Sequence, residues 1–439
     1  MKNNRTFCNR LLISLFTLGM SSSLLFAQSQ PEISEAELIE KGQYISIAAD
    51  CVACHTAPTE NAKPFAGDYV ITVPMGDIVA PNITPSKEHG IGNWSEAEFA
   101  DAVRKGIRPD GTRLYPAMPY TAYHGITDED IHALYTYFMN GVAAVDAPPK
   151  HETSLSFPFE YRSLMAIWNG MFSDDKTFTP DPNQSAQINR GEYLIDNLAH
   201  CGTCHTPRNL LYSEKENKTL SGSNLGGWYA PNITPDPETG IGNWSKEEIV
   251  QFLKTGHIAN KASSAGEMAT AVVESFSKMT DDDLMAIAAA LKSINAIHGS
   301  VPKAIYTKRF PVIEINSAYT GQGDYQTLID HDTTDGALLY LNVCAACHGI
   351  QGEGAQDQSF PSLILNSTVK SPLPNNLVQV IAEGLHRAVP GDEVFMPGFK
   401  SELTTGQIAA LTNYVRTHFG NINESISAKD VEKILSGKE

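Results

Sequence analysis

Cysteine is scarce in this 439-residue chain, and nearly all of it is used in one way. Six of the seven cysteines lie in three short motifs, and the seventh, Cys8, lies close to the N-terminus. No disulfide can therefore form without taking a cysteine from a motif. This excludes a small secreted fold that is held together by a framework of structural disulfides.

Three further shortages narrow the class of protein. Cationic residues are outnumbered, with 32 Lys and Arg against 50 Asp and Glu and a formal net charge of −18. A surface this acidic repels nucleic acid and favours basic docking faces on protein partners. Beyond the N-terminal segment, no stretch approaches the ~18 consecutive apolar residues of a membrane-spanning helix. Patterns typical of β-strands are also scarce.

The N-terminal segment is typical of an export signal. Lys2, Arg5 and Arg10 are followed by an apolar stretch over 11–25 and by a small-residue cleavage site that ends at Ala27. This pattern predicts a signal peptide over residues 1–27. Serine, threonine and glycine interrupt the apolar stretch, which favours cleavage over a permanent anchor. We therefore expect the mature protein in the periplasm.

The pattern Cys-x-x-Cys-His occurs three times. The motifs are Cys51-Val-Ala-Cys54-His55, Cys201-Gly-Thr-Cys204-His205 and Cys344-Ala-Ala-Cys347-His348. Two thiols one helical turn apart can each add across a vinyl group of haem, and the next residue, His, then lies under the iron as its proximal ligand. The sequence therefore predicts three covalently bound haem c groups, with His55, His205 and His348 as iron ligands.

Other uses of a Cys-x-x-Cys pair explain the sequence less well. Half of a zinc site would need two further ligands nearby, and no second Cys or His pair follows at zinc-finger spacing. A thioredoxin-like redox dithiol gives no reason for a His at the next position in all three motifs.

The chain also contains an internal duplication with a period of 150 residues. The segment Ala80 to Pro85 (APNITP) recurs at Ala230 to Pro235, and Gly90 to Ser95 (GIGNWS) recurs at Gly240 to Ser245. A helix rich in small and aromatic residues precedes each haem motif, and an amphipathic helix closes each unit. We predict an all-α fold of three tandem small cytochrome c-like domains joined by linkers.

The predicted domains cover 31–145, 186–298 and 328–420. The first linker, 146–185, contains the apolar stretch Phe157 to Phe172, which favours a helix packed between the first two domains. The second linker, 299–327, contains Lys303, Lys308 and Arg309 and is expected to be a solvated strap; the alternative is a contact of these cations with a propionate or an acidic patch. Residues 421–439 are expected to form a polar tail, without an amphipathic face wide enough to indicate membrane binding.

A second iron ligand decides what a haem site does, because an open iron position supports bond chemistry and a closed one passes electrons. Met118 and Met268 each lie 63 residues after the proximal His of their repeat, and Met396 lies 48 residues after His348. A methionine is more often core filler than ligand, and Met279 is a rival to Met268. We predict Met118, Met268 and Met396 as the distal ligands of closed sites.

The duplicated segments place an Asn and a Trp at matching positions, Asn82 with Trp94 and Asn232 with Trp244. Their side chains can donate hydrogen bonds to haem propionates. They can equally fix the geometry of the loop in which they lie. The sequence favours neither role.

Taken together, these residues resemble the three-haem cytochrome c subunits of bacterial membrane-bound dehydrogenases. The resemblance covers nearly the whole mature chain. It is carried by the three haem motifs, the two duplicated segments, Tyr115 to Tyr120, Phe157 to Phe172, and Met396-Pro397-Gly398. In this family the catalytic subunits include quinoprotein (PQQ) alcohol dehydrogenases, flavoprotein gluconate, fructose and sorbitol dehydrogenases, and some molybdenum aldehyde oxidoreductases.

The resemblance implies an electron-transfer subunit with no chemistry of its own. A catalytic subunit would oxidise a sugar, alcohol or aldehyde in the periplasm, and the haems would pass the electrons to ubiquinone or a terminal oxidase. It also implies a peripheral position on the outer face of the inner membrane. The alternative is a haem enzyme of the peroxidase or thiosulfate-oxidising type, which would require an open or unusually ligated iron.

Overall fold

The computed structural model describes residues 33–174, 176–299, 332–356 and 359–437. The predicted signal peptide, 1–27, and nearly all of the second linker, 299–327, lie outside the described residues. The chain is mainly helical, with short antiparallel strands between some of the helices. Three parts each contain one haem motif, and they are called the first region (35–145), the second region (186–299) and the third region (332–437).

In the first region, helices begin at the capping residues that the sequence contains, such as Ser95 and Thr127. The region consists of helices α1 (Glu35–Ala48), α2 (Cys51–Cys54), α3 (Glu96–Lys105), α4 (Tyr120–Tyr123) and α5 (Asp128–Thr136) and strands β1 (Val70–Val73) and β2 (Gly76–Val79). Thr127 caps α5 by accepting a hydrogen bond from the backbone N–H of Asp130. α5 continues into a π-helical turn, Tyr137–Gly141.

The first linker contains β3 (Ser154–Leu155) and helix α6 (Leu164–Phe172). The indole N–H of Trp168 donates to the carbonyl oxygen of Leu211 in the second region at 2.8 Å. Asn169 accepts a hydrogen bond from the hydroxyl of Tyr120 in the first region, also at 2.8 Å. The structure therefore places a helix in this linker that contacts both neighbouring regions.

The second region repeats the order of the first. It contains α7 (Ala186–Tyr193), a π-helical turn (Leu194–Leu198), α8 (Gly202–His205), α9 (Lys246–Thr255), α10 (Glu267–Glu274) and α11 (Asp281–Ser293), with β4 (Ser223–Leu225), β5 (Trp228–Ala230), β6 (His257–Ile258) and β7 (Ala262–Ser263). The same capping box, Ser95 with Glu98 and Ser245 with Glu248, begins α3 and α9. The duplication in sequence is thus a duplication of local structure.

The third region consists of α12 (Gly336–Val343), α13 (Ala345–His348), α14 (Asn375–Glu383), α15 (Thr405–His418) and α16 (Ala428–Leu435), with the hairpin β8 (Leu385–Val389) and β9 (Asp392–Met396). The predicted polar tail is in fact partly helical. Ser427 and Asp430 form a capping box at the start of α16, and Val431 is fully buried. This helix packs onto the third region because its apolar face covers α14 and α15.

A glycine lets two helices cross closely in every region. A Cβ atom at Gly42 of α1 would overlap the carbonyl oxygen of Ala133 in α5. Gly191 meets Ala286 in the same way, and Gly336 meets Ala410. The helix that precedes each haem motif therefore lies backbone to backbone against the closing helix, which positions the motif at one end of the crossing.

The buried apolar side chains of the described residues form two clusters. The first draws on both the first and the second region, with Phe138, Leu194 and Ile287 among its members. The second cluster belongs to the third region and includes Leu339 and Leu411. The first two predicted domains thus share a hydrophobic core, which the prediction of separate tandem units did not include.

The predicted all-α fold is confirmed in its helical character, and the structure adds short strands to it. β1, β2 and β3 form an antiparallel sheet, in which Val70 pairs with Val79 and Gly76 with Leu155. The other strands of the described ranges pair as hairpins, and Gly391 at φ 86° turns the chain between β8 and β9. Strands of two to five residues are too short to show the alternation that identifies a strand in a sequence. Of the helices in the described part of the chain, none is long and apolar enough to cross a membrane.

Candidate haem-binding sites

Each Cys-x-x-Cys-His motif forms a single helical turn. α2, α8 and α13 are four residues long, and each covers four of the five residues of its motif. The backbone N–H of each motif His donates to the carbonyl oxygen of the first Cys, at 3.1 Å for His55 and 3.0 Å for His205 and His348. This i to i+4 bond fixes the two cysteines of each motif one turn apart on one side of the turn. The spacing that covalent haem attachment requires is therefore present in the backbone.

The six motif cysteines are free thiols in this structure. Burial raises the pKa of Cys51, Cys201 and Cys344 to about 12. A redox dithiol of the thioredoxin type needs a thiol whose pKa is lowered, so that the thiolate can attack a disulfide. The apolar setting of these thiols therefore argues against a dithiol and suits the edge of a porphyrin.

Each of the three motif histidines forms the same kind of hydrogen bond, from its ring to the backbone carbonyl of a proline. The Nδ1 atom of His55 lies 2.8 Å from the carbonyl oxygen of Pro81. His205 and Pro231 are 2.7 Å apart in the same arrangement, and His348 and Pro361 are 3.0 Å apart. A carbonyl oxygen can only accept, so Nδ1 carries the proton and Nε2 keeps its lone pair. This is the tautomer in which a proximal His binds iron.

Burial also sets the charge of these histidines. Each of the three residues is 9% exposed. Burial lowers the pKa of His55, His205 and His348, and the bond to the Pro carbonyl opposes this shift without reversing it. The imidazoles are therefore neutral at neutral pH, which is the form that donates to a metal.

The duplicated Asn residues fix the loops that carry these Pro carbonyls. The side-chain oxygen of Asn82 accepts from the N–H and the hydroxyl of Thr84, at 2.9 and 2.7 Å. Its amide nitrogen donates to the carbonyl oxygen of Val145 at 2.8 Å. Asn232 makes the equivalent bonds to Thr234 and Ile297. Because these bonds occupy both ends of each amide, Asn82 and Asn232 fix the loop rather than donate to a propionate.

The structure separates the candidate distal ligands from their rival. Met118 lies in the turn before α4, and Met268 is the second residue of α10. Both are half-buried against the first core cluster, as are Cys51 and Cys201. Met396 is the last residue of β9, opposite Leu385, and is also half-buried. Met279 is 1% exposed and belongs to the core itself, which favours a role in packing. Ligation by Met118, Met268 and Met396 remains a prediction.

Nothing in the described ranges resembles a zinc site. Within those residues, His, Cys, Asp and Glu form no group of three or more that could hold a metal ion. A structural zinc ion requires four such ligands around one point. The residues do fit a covalently bound haem, because each motif offers two free thiols one turn apart and a buried, neutral imidazole with its Nε2 unprotonated.

Sequence reasoning missed the Pro carbonyls, since a backbone group has no residue-type signal. Pro81 and Pro231 do lie inside the duplicated APNITP segment, so the repeat marked the correct loop. Pro361 lies in a loop of the third region that has no matching copy, and nothing in the sequence marks it.

Comparison with known proteins agrees with this geometry. A family model for cytochrome c matches residues 39–141 and 333–419. The chain is 42% identical to the fructose dehydrogenase cytochrome subunit of Gluconobacter japonicus, over 93% of this chain and 84% of that one. It is 38% identical to the cytochrome c subunit of the alcohol dehydrogenase (quinone) of Gluconacetobacter polyoxogenes, over 97% of this chain and 90% of that one. It is 35% identical to the gluconate 2-dehydrogenase cytochrome c subunit of Pantoea cypripedii, over 94% and 92%.

The fold and the sites thus define a c-type cytochrome. The chain belongs to the family of cytochrome c subunits of bacterial fructose, alcohol and gluconate dehydrogenases, which confirms the resemblance. A cytochrome c of this family contains covalently bound haem and serves electron transfer within an oxidoreductase complex.

Proposed function

We propose that this chain is a periplasmic electron-transfer subunit that carries three haem c groups, one in each region. It receives electrons from the catalytic subunit of a sugar, alcohol or aldehyde dehydrogenase and passes them to ubiquinone or a terminal oxidase. The observation that carries this proposal is the same His–Pro hydrogen bond in all three motifs. Three sites with the same geometry are expected of a protein that passes electrons from haem to haem, whereas an enzyme needs one site that differs from the others.

Bound haem c supplies a one-electron iron couple. The protein contributes two thiols that tether each group and one imidazole that binds it. The Pro carbonyl holds the imidazole ring in a fixed orientation and makes it a stronger donor. A neutral thioether from Met118, Met268 or Met396 on the other side would favour the reduced iron and close the site. Closed sites change little on reduction, so electrons pass and substrates do not bind.

The relatives support a dehydrogenase as partner, because they are cytochrome subunits of fructose, alcohol and gluconate dehydrogenases. On this proposal the catalytic subunit is of the flavin, PQQ or molybdenum type. The net charge of −18 favours a basic docking face on that partner. The export signal supports a periplasmic location, and the relatives support a peripheral position on the outer face of the inner membrane.

The number of haem groups is tested by mass spectrometry of the exported chain. We expect three covalent haem adducts. Replacing Cys51 and Cys54 by Ser should leave two, because one pair of tethers is lost. The matched control is Cys8→Ser, which lies in the predicted signal peptide and should leave three. Fewer than three adducts on the wild-type chain would contradict the proposal.

The partner is tested by purifying the tagged protein from membranes of its host. A dehydrogenase catalytic subunit should co-purify, and its flavin, PQQ or molybdenum content identifies its type. Adding that subunit's substrate should then reduce the haems, as followed by absorption. Haems that stay oxidised while the catalytic subunit reduces an artificial acceptor would show that this chain is not its electron acceptor.

A further inference from the structure

Helix α6 has an outer face without a single polar side chain. Its inner face packs into the protein through Trp168 and Asn169, which are 9% and 8% exposed. The outer face consists of Leu164, Ala166, Ile167, Gly170 and Met171. Ile167 is 65% exposed and Met171 55%. A surface helix of a globular protein normally presents charged or polar residues to water, so this face is unusual.

Neighbouring residues extend this face into a patch. Phe157 is 77% exposed and Tyr161 53%, and their rings are 6.2 Å apart. The loop at Leu210, which is 98% exposed, is joined to α6 by the bond from Trp168 to Leu211. We call Phe157, Tyr161, Leu164, Ile167, Met171 and Leu210 the apolar patch. With about 200 Å² for a fully exposed residue, the six residues together present roughly 770 Å², more than the ~300–600 Å² of the largest patch on a typical monomer.

Cations are concentrated in the segments that build the patch and its edge, on a chain that is acidic as a whole. The three segments that build it and its edge, 104–113, 157–172 and 208–213, contain six Lys and Arg and only two Asp and Glu. The edge is joined to the patch directly, because Arg162 donates to the carbonyl oxygen of Arg113 at 3.1 Å and Asn169 donates to that of Lys105 at 3.4 Å. The chain as a whole has 32 cationic and 50 acidic residues, so this charge balance is local.

Half of these cations form no ion pair with another described residue. Arg104, Lys105 and Arg208 form ion pairs with Asp128, Asp101 and Glu214. Among the described residues, Arg108, Arg113 and Arg162 have no carboxylate within ion-pair distance. The guanidinium of Arg162 lies 4.4 Å from the ring centre of Tyr115 instead.

We propose that the apolar patch is the surface by which this protein lies on a bilayer with anionic headgroups. The apolar side chains enter the boundary between headgroups and acyl chains, and Arg108, Arg113 and Arg162 contact the phosphates. The acidic remainder of the surface is repelled by the same headgroups, so the protein binds in one orientation. This inference rests on the proposed peripheral location and deepens it by naming the residues that contact lipid.

Two observations favour lipid over a protein partner as the occupant. Leu210 and Phe157 project from the surface, as their exposure shows, and a protein would need a fitted cavity for each, whereas acyl chains need none. The patch also combines a mainly apolar face with cations at its edge, which is the arrangement of interfacial membrane segments.

The orientation has a consequence for electron transfer. α6 contacts Tyr120 through Asn169, and the N–H of Tyr120 donates to the carbonyl oxygen of Met118 at 2.8 Å. The loop with the predicted distal ligand of the first region therefore lies directly behind the patch. On a membrane-bound molecule, the first region would be the exit to an acceptor dissolved in the bilayer.

The test is co-sedimentation of the complete, haem-containing protein with lipid vesicles. We expect binding to vesicles of equal parts phosphatidylglycerol and phosphatidylcholine, and at least tenfold weaker binding to phosphatidylcholine alone. The triple variant Ile167→Ser, Met171→Ser, Leu210→Ser should bind the anionic vesicles at least tenfold more weakly. The control is Phe395→Ser. Phe395 is 67% exposed, close to the 65% of Ile167, but it lies outside the patch, so this variant should bind like the wild type.

A double variant tests the contribution of the cations to vesicle binding. Arg108→Gln with Arg162→Gln should weaken vesicle binding at low salt and flatten its salt dependence, since fewer cations meet the headgroups. Wild-type protein that does not sediment with anionic vesicles, or a serine variant that sediments equally well, would overturn the proposal. A serine variant that still binds vesicles but no longer co-purifies its dehydrogenase would assign the patch to the protein partner instead. Haem content and reduction by the dehydrogenase are measured without vesicles, so they test the proposed function separately.

Discussion

The hydroxyl of Tyr193 in the second region donates to Oδ2 of Asp130 in the first region at 2.7 Å. The reverse bond, from Tyr44 in the first region to Asp283 in the second, is also 2.7 Å. Each Asp is held further by a cation of its own region, Lys41 for Asp130 and Arg190 for Asp283. The two copies of the duplicated unit are thus joined by an exchange of equivalent bonds.

Tyr193→Phe tests this exchange. The variant loses one buried hydrogen bond to a carboxylate, so we expect the free energy of unfolding to fall by about 1.5–3 kcal/mol. Tyr44→Phe should act in the same direction by a smaller amount, because its bond is more exposed. The two effects should not add fully, since Arg190 lies over the ring of Tyr193 and also pairs with Asp283, the acceptor of the Tyr44 bond. Denaturant unfolding of the haem-containing protein measures both. The control Tyr212→Phe, outside both contacts, should be neutral, and a Tyr193→Phe variant as stable as the wild type would refute the role of the bond.

The Asp283 carboxylate makes this contact sensitive to acid. Burial raises its pKa, but hydrogen bonds from Arg190 and Tyr44 and the charge of Arg190 outweigh burial and hold the pKa below its usual value. Because the folded pKa is the lower one, the stabilisation is complete above about pH 4 and is lost as the pH falls from there through the folded pKa.

We therefore expect Asp283→Asn to be less stable than the wild type at pH 7 and to lose less stability below about pH 4. Thermal melting between pH 7 and pH 3 measures this difference. Asp282→Asn is the matched control, since it changes the exposed neighbouring carboxylate in the same helical turn and should keep the wild-type profile. Parallel profiles of wild type and Asp283→Asn would contradict the assignment.

The sequence predicted the parts of the fold that depend on local pattern. The closing helices begin where Thr127 and Thr280 precede acidic residues, because a cap is a local signal. Helix α16 could have been found in the same way, from the capping box of Ser427 and Asp430 before Val431. The shared core of the first two regions could not, since the bonds Tyr193–Asp130 and Tyr44–Asp283 join residues 63 and 239 positions apart.

The haem sites also have some features that the sequence predicts and others that only the fold shows. Cys and His at fixed spacing identify haem attachment, because the chemistry depends on residue type. The bonds from His55 and His348 to Pro81 and Pro361 are made by backbone carbonyls, which any residue could supply. Only the folded chain shows which loop comes beneath each imidazole.

Two helix glycines predict opposite effects of the same substitution. A Cβ at Gly191 would overlap the backbone of Ala286 at the crossing of α7 and α11, whereas Gly170 in α6 has nothing within 4 Å. Gly191→Ala should therefore lower the free energy of unfolding by more than about 2 kcal/mol, as an overpacked contact does. Gly170→Ala should raise it by about 0.5–1 kcal/mol, because alanine loses less backbone entropy in a helix. Denaturant unfolding measures both, and equal effects would contradict the close crossing.

Met268→Leu and Met279→Leu distinguish an iron ligand from core packing. Met268 is half-buried at the start of α10, and Met279 is 1% exposed in the core. Met268→Leu should retain all three haems but lose the far-red absorption of one Met-ligated ferric haem, lower the reduction potential of one site and slow turnover by the partner dehydrogenase. Met279→Leu should leave the spectrum and potentials unchanged and cost less than about 1.5 kcal/mol in stability, because leucine has nearly the same volume.

Met118→Leu should reproduce the Met268 result in the first region, since both residues stand 63 positions after their His. If the spectral change followed Met279→Leu instead, Met279 would be the iron ligand of the second site. The equal spacing of 63 residues from His to Met would then have no role in ligation.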